Sequence, residues 1–223
     1  MHHDKRYPGE DGAYRRARDR LLQAEIELDA KVQEVASLRR ELPVGGMVVN
    51  DYVFEKLVGD DVREVRLSEL FPPGKSTLML YSFMYSDAME AACPACTSLI
   101  DGLSGIQGHL ADRMGFAVVA KSPIGRLAGL AEERGWGDVL LLSSAGNTYN
   151  RDYYAETPEG NQIPAANVFV RRDDGIHHFW GAEMLYVNKP GHPRHVDQFW
   201  PVWQLMDLTP EGRGTDWFPK LQY

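Results

Sequence analysis

The chain has 223 residues, 43% of them hydrophobic, with 10 Tyr, 8 Phe and 5 Trp, enough for one sizeable domain with extensions. A formal charge of -8 argues against nucleic acid as a partner. No run of about 18 apolar residues exists to span a membrane, and the first residues, Met1 to Gly9, lack the apolar segment of a secretory signal. These features lead us to expect a cytoplasmic protein, in which the two cysteines are catalytic or metal-binding rather than a structural staple.

Residues 1–12 are polar and contain Pro8-Gly9 and Asp11-Gly12, which reads as a loose arm. From Ala13 to Leu42 there is neither Pro nor Gly. Tyr14, Leu21, Leu28, Val35 and Leu42 recur every seven residues, with Ala17, Ala24 and Leu38 at companion positions and Lys31 interrupting the seam. This pattern predicts an amphipathic helix of roughly 45 Å at about 1.5 Å per residue. Such a helix either packs along its own domain or serves as a dimerisation or partner-binding arm, which makes a homodimer through the N-terminal helix one expectation. Pro43 stops it, and Gly45-Gly46 turns the chain away.

Residues 48–54 read as a strand, Val62, Val65 and Leu67 mark a second segment, and Leu67 to Phe71 a short helical turn. Residues 77–84 form a buried apolar strand. Eight residues, Tyr85 to Ala92, follow and are expected to shape the mouth of a site, with Tyr85 at its start. Asp87 and Glu90 on this loop are either solvated or placed to tune a thiol.

Next comes Cys93-Pro94-Ala95-Cys96, holding the only two cysteines. Apolar residues at 99, 100, 103 and 106 give the following segment a helical spacing. A thiol at a helix N-terminus meets unpaired amides and the positive end of the helix dipole, both of which favour the reactive thiolate. Pro94 suits the first turn, where a missing N–H costs nothing. In this reading Cys93 attacks a disulfide and Cys96 resolves the mixed intermediate. The same spacing also fits half a zinc site, completed by His177 or His178, or by His192 with His195.

Residues 115–120 and 139–143 are further core strands, separated by a helix that Ser122-Pro123 is expected to start and Gly135 to end. Residues 144–162 read as a long polar loop in which Asn147, Tyr149, Asn150 and Tyr153 either line a pocket, with Arg151 holding an acid, or bond among themselves. Residues 165–170 and 176–180 form an antiparallel hairpin about Arg171 to Gly175. Lys189 to Pro193 is a loop. Val196 to Leu208 is an aromatic, amphipathic helix started afresh at Pro201, and a tail is tied down by Trp217, Phe218, Leu221 and Tyr223. The expected organisation is an arm and helix over 1–43, a thioredoxin-like α/β domain over 44–208 (a central mixed sheet flanked by helices), and an irregular tail over 209–223 packed on that domain.

The stretches Leu38–Pro43, Asp51–Phe54, Tyr81–Met84, Cys93–Cys96, Ser143–Asn147 and Asp207–Gly212 together resemble a bacterial thioredoxin-like family, formerly a domain of unknown function. Its members are described as predicted dithiol–disulfide oxidoreductases or isomerases, near the alkyl hydroperoxide reductase and thiol-specific antioxidant (AhpC/TSA) group. The resemblance implies a thioredoxin-like fold and thiol–disulfide exchange with a disulfide-containing protein or small thiol. An external thiol reductant would complete the cycle. The dithiol is itself the redox group, so no cofactor is required. It also implies that Pro164 stands at the cis-proline position facing the disulfide, the alternative being a proline that simply opens an edge strand; Pro94, Tyr85, Asn147 and Tyr149 are our further candidates for substrate contact. The Pro-x-x-x-Thr-x-x-Cys pattern of peroxiredoxins is missing, because Ser86 and Glu90 stand at its anchors. A thiol peroxidase and a non-catalytic binding or assembly module are the alternatives.

Overall fold

A computed structural model describes residues 3–187 and 196–223. The chain divides into two units, Met1–Pro43 and Val44–Tyr223.

The first unit is built on helix α1, Gly12–Arg40, close to the predicted 13–42. Asp11 caps it: its Oδ1 accepts from the Tyr14 amide at 2.7 Å, satisfying one of the orphan donors of the first turn. Arg39 and Arg40 sit at the carbonyl end, where positive charge is favoured. Side-chain pairs three or four residues apart run along it, among them Gln23 with Glu27 and Lys31 with Glu34.

The second unit opens with β1, Val53–Val58, and β2, Asp61–Arg66, which pair antiparallel. Gly59, at φ 61, makes the tight turn between them. The predicted strand over 48–54 is therefore displaced toward the C-terminus, because that turn sets the register of the pair. After β3 (Thr77–Ser82) come α2 (Pro94–Ser104), α3 (Gln107–Ala111), β4 (Gly115–Ala120), α4 (Ile124–Arg134) and β5 (Leu141–Ser143). They are followed by α5 (Tyr149–Asp152), β6 (Ala165–Arg172), β7 (Gly175–Gly181) and α6 (Pro201–Met206).

The seven strands form one sheet in the order β2-β1-β5-β4-β3-β6-β7. β3, β4 and β5 are parallel, β6 runs antiparallel beside β3, and β7 runs antiparallel beside β6. A β3-α2-β4 crossover followed by the β6-β7 hairpin and α6 is a thioredoxin-like fold, with the extra strands on the β5 side.

Strand alternation divides the interior into two layers. On one face Tyr81, Val118, Ala120 and Ala166 meet Leu99, Ile100 and Leu103 of α2 and Trp203 of α6. On the other, Leu78, Leu80, Ala117, Val119, Leu142 and Phe169 meet Phe54 and Tyr149. All six residues of β4 are buried, as a central parallel strand covered on both faces requires.

Several expectations need correction. Residues 144–162 are not a free loop, because they contain α5 and a bridge between Glu156 and Gln162. Helix α4 starts at Ile124 behind Pro123 without a side-chain cap, so Ser122 does not play that part. Gly135 does end it, left-handed at φ 71. In the tail, Trp217 and Leu221 pack on the α2 layer. Phe218 and Tyr223 are exposed. Arg213, also in the tail, pairs its guanidinium with Asp197 and Asp207 over the Trp203 ring. The loop expected at Lys189 to Pro193 lies outside the described residues.

Candidate active site

The site forms where β3 ends. The Phe83 amide is still bonded to the Val119 carbonyl, at 2.8 Å, before the chain leaves the sheet. It returns at Cys93, whose amide donates to the Met84 carbonyl at 3.1 Å and closes the loop at its base. Arg126 of α4 holds the loop's outer limb. Its guanidinium donates to the carbonyls of Ser86, Met89 and Glu90 at 2.9, 2.7 and 3.0 Å, and lies 4.2 Å from the centre of the Tyr85 ring. Tyr85 is thus a buried plate beneath a cation, and the predicted mouth-shaping loop is fastened by a residue that the sequence did not single out. Asp87 and Glu90 are exposed.

Cys93 is the N-cap of α2 and Pro94 occupies the first turn. The Cys93 sulfur accepts from the Cys96 amide at 3.4 Å. Its carbonyl accepts from the Thr97 amide and hydroxyl, both at 3.0 Å. Leu99, Ile100 and Leu103 anchor the helix in the core. Asp101 fixes its outer face, accepting from Arg134 and, at 2.8 Å, from the Trp136 indole.

The two thiols differ sharply in environment. Cys93 is half-buried and Cys96 is buried. A hydrogen bond from the Cys96 thiol is the main cause that brings the Cys93 thiol down to about 6, helped by the amides of Cys96 and Ala95 and opposed by burial. Cys96 is pushed the other way, first by burial and then by its bond to Cys93. One group pulls it back: the phenol of Tyr81, wholly buried on β3 and hydrogen-bonded to the Cys96 sulfur. The sequence does hold a signal for Tyr81. It falls out of phase with Leu78 and Leu80, hence on the α2 face, and a phenol in an apolar strand needs a partner.

Pro164 stands just before β6, whose Ala165 pairs with Ser82 at the end of β3. The Ile163–Pro164 peptide is trans, not the cis form that the resemblance implies. Asn147 and Tyr149 are not brought to the cysteines. The Asn147 amide donates to the Val53 carbonyl at 2.6 Å, and its Oδ1 accepts from the Tyr149 amide at 2.9 Å, a local tie that holds α5 against β1. Tyr149 is 0% exposed in the layer opposite α2, among Tyr52, Phe54, Tyr153 and Phe169. Asn150 is also buried, bonding Ser144 and Gln162. Arg151 is exposed.

The histidines considered as zinc ligands are engaged elsewhere. The His177 ring bonds the Gly45 carbonyl and Asp174, and His178 bonds Asn167. No group of three or more metal-binding side chains occurs among the described residues, and His192 and His195 lie outside them. No helix among the described residues is long and apolar enough to cross a membrane.

The model of DUF899, a family of bacterial proteins of unknown function, matches residues 5–223. The chain belongs to this family. No curated protein matches it in sequence. Among solved structures, the DUF899 chain is similar to reduced 2-Cys peroxiredoxin from Plasmodium vivax, at 19% identity and a TM-score of 0.45, over 60% of this chain and 81% of that one. It is similar to peroxidoxin BcpB from Mycobacterium tuberculosis at 17% identity and a TM-score of 0.46, over 74% and 99%. For AhpC from Enterococcus faecalis the values are 13% and 0.48, over 79% and 98%. Likeness at this level says nothing of what this chain binds or reduces.

Proposed function

We propose that this DUF899 protein is a thiol–disulfide oxidoreductase in which Cys93 is the nucleophile and Cys96 the resolving thiol. The observation that carries the reading is the asymmetry of the pair. The outer sulfur sits at a helix N-terminus and is largely thiolate at neutral pH. The inner one is buried, keeps its proton, and donates it toward the outer. Such a pair divides the labour of exchange.

The steps balance as follows. The Cys93 thiolate attacks one sulfur of a substrate disulfide, forming a mixed disulfide and releasing the other sulfur as a thiolate that takes a proton from solvent. Cys96 then gives its proton to solvent and attacks the Cys93 sulfur as a thiolate. The Cys93–substrate bond breaks as the intramolecular disulfide forms, and the second substrate sulfur leaves as a thiolate that takes a proton from solvent. Two electrons pass from the protein to the substrate, and an external thiol reductant returns them. The negative charge of the Cys93 thiolate opposes ionisation of the buried Cys96, so the inner thiol ionises only after Cys93 has been consumed in the mixed disulfide. Tyr81 then offers the hydrogen bond that supports the Cys96 thiolate. The substrate is a protein or small-molecule disulfide, reached across the half-buried Cys93 between Pro94, the Tyr85 loop and the Pro164 turn. A cytoplasmic setting would supply the reductant and keep the resting pair reduced.

The test is equilibration of the purified chain with defined ratios of reduced and oxidised glutathione, read by mass. The expected result is a reversible two-electron couple between about -120 and about -270 mV, the span of known catalytic dithiols. Cys96→Ser should accumulate one glutathione on Cys93, and Cys93→Ser should accumulate none. A pair that stays reduced at every ratio would overturn the proposal. Oxidation by hydrogen peroxide but not by glutathione disulfide would replace it with a thiol peroxidase.

A further inference from the structure

A cavity of about 500 Å³ lies away from the cysteines, between the α5 segment, the β6–β7 hairpin and the turn that follows β7. Its walls are largely aromatic. Tyr52 and Tyr153 meet edge to face at 5.9 Å, and Tyr153 lies 5.6 Å from the His178 ring. Across the opening, Tyr154 and Tyr186 pair edge to face at 6.1 Å, and the Tyr186 hydroxyl donates to the Tyr154 carbonyl at 3.0 Å.

The polar groups of this cavity share one character. Two carboxylates, Asp152 and Glu183, line it, and among the described residues neither Lys nor Arg does. Burial holds His178 below its ordinary range, so its ring is neutral at physiological pH. Since its Nε2 meets the Asn167 Oδ1 at 2.9 Å, the proton sits on Nε2 and Nδ1 is left as an acceptor. Asn167, in the same wall, is only 5% exposed, and its amide nitrogen has no hydrogen-bond partner among the described residues. Gly181, opposite Asn167 in the strand register, keeps this corner open: a Cβ there would lie 3.2 Å from the Asn167 Oδ1 and 3.5 Å from the His178 ring.

Ring faces, carboxylates and a bare imidazole nitrogen attract a cation that carries N–H donors, and they repel an anion. A volume of this size fits a small organic molecule rather than a metal ion. We propose that this cavity is a second ligand site, for a small organic ammonium compound with an apolar or aromatic body, seated against Tyr153 and Tyr154 with its nitrogen toward Asp152 and Glu183. The site is independent of the redox proposal, because none of these residues touches either thiol.

The experiment uses the full chain and three probes of matched shape: benzylammonium, benzyl alcohol and benzoate. Binding is read by calorimetry and by shifts in the tyrosine ring resonances. The expected order is benzylammonium first, benzyl alcohol at least tenfold weaker, and benzoate without measurable binding. Glu183→Gln and Tyr154→Ala, both at exposed positions, should each weaken benzylammonium several-fold, while Cys93→Ser leaves its affinity unchanged. Equal binding of benzoate, no binding of benzylammonium at millimolar concentration, or affinity unaltered in both cavity variants would overturn the proposal.

Discussion

Two tyrosines, one on each face of the sheet, are both wholly buried, yet they do different work. Tyr81 points toward α2 and meets a sulfur that titrates. Tyr149 points into the other layer, among aromatic rings, with only the neutral side chains of Ser82 and Asn167 near its hydroxyl. Burial raises both phenols far above their ordinary range, so neither ionises. What separates them is the partner. A neutral phenol beside a thiol can shift the balance between thiol and thiolate, whereas one among neutral groups contributes packing. A buried polar residue is best judged by what it faces.

The largest effect expected from breaking this contrast is at the sulfurs themselves. Cys93→Ser should abolish disulfide reduction, measured with an insulin or glutathione-disulfide assay. The pH profile sharpens the point. Because the Cys93 thiol is lowered to about 6, its alkylation by iodoacetamide should be near maximal at neutral pH. The rate should fall roughly tenfold per pH unit below that value, since only the thiolate reacts. Cys96→Ala removes the hydrogen bond that is the chief cause of the lowering, and should move the midpoint of the profile upward toward the ordinary cysteine range.

Tyr81→Phe comes next. It removes the hydrogen bond that favours the Cys96 thiolate, so that thiol becomes still harder to ionise. The resolving step should slow several-fold, because a smaller fraction of Cys96 is present as thiolate. The mixed disulfide on Cys93 should persist correspondingly longer in a quenched-mass experiment. A resolving rate equal to the wild type in Tyr81→Phe would show that the phenol packs rather than positions.

Arg126→Ala tests the loop instead of the thiols. Three backbone carbonyls lose a charged donor, and Tyr85 loses the cation above its ring. Hydrogen bonds to charged groups are each worth about 1.5–3 kcal/mol, with part recovered by water in this half-exposed place. A loss of about 2 kcal/mol in denaturant unfolding is expected, with faster proteolysis within residues 86–90.

The smallest effect should come from Tyr149→Phe. Among the described residues its hydroxyl meets only the side chains of Ser82 and Asn167, without a well-formed hydrogen bond, so removing it should change stability by less than about 1 kcal/mol. Reduction of disulfides should stay unchanged. The Tyr81 and Tyr149 variants therefore form a matched pair, the same atom deleted from opposite faces with opposite consequences.

Much of the fold was legible in the chain because it depends on near neighbours. The long helix follows from a heptad pattern free of Pro and Gly, the β6–β7 hairpin from two apolar runs about Asp173-Asp174-Gly175, and the cysteine helix from a proline and an apolar spacing of three and four. The location of Cys93 at a helix N-terminus, and with it the expectation of a reactive thiolate, belongs to the same class. What escaped the sequence depends on residues far apart in it. Tyr149 carries the same polar handle on either side of the sheet, and only the path of the chain into α5 put it opposite the cysteines. The hydrogen bond of Tyr81 to Cys96 and the Tyr52 hydroxyl on Asp152, a pair 100 positions apart, exist only once strands and helices are stacked. Periodicity fixes which way a side chain points on its own element, but acidity, burial and partnership belong to the contact between elements.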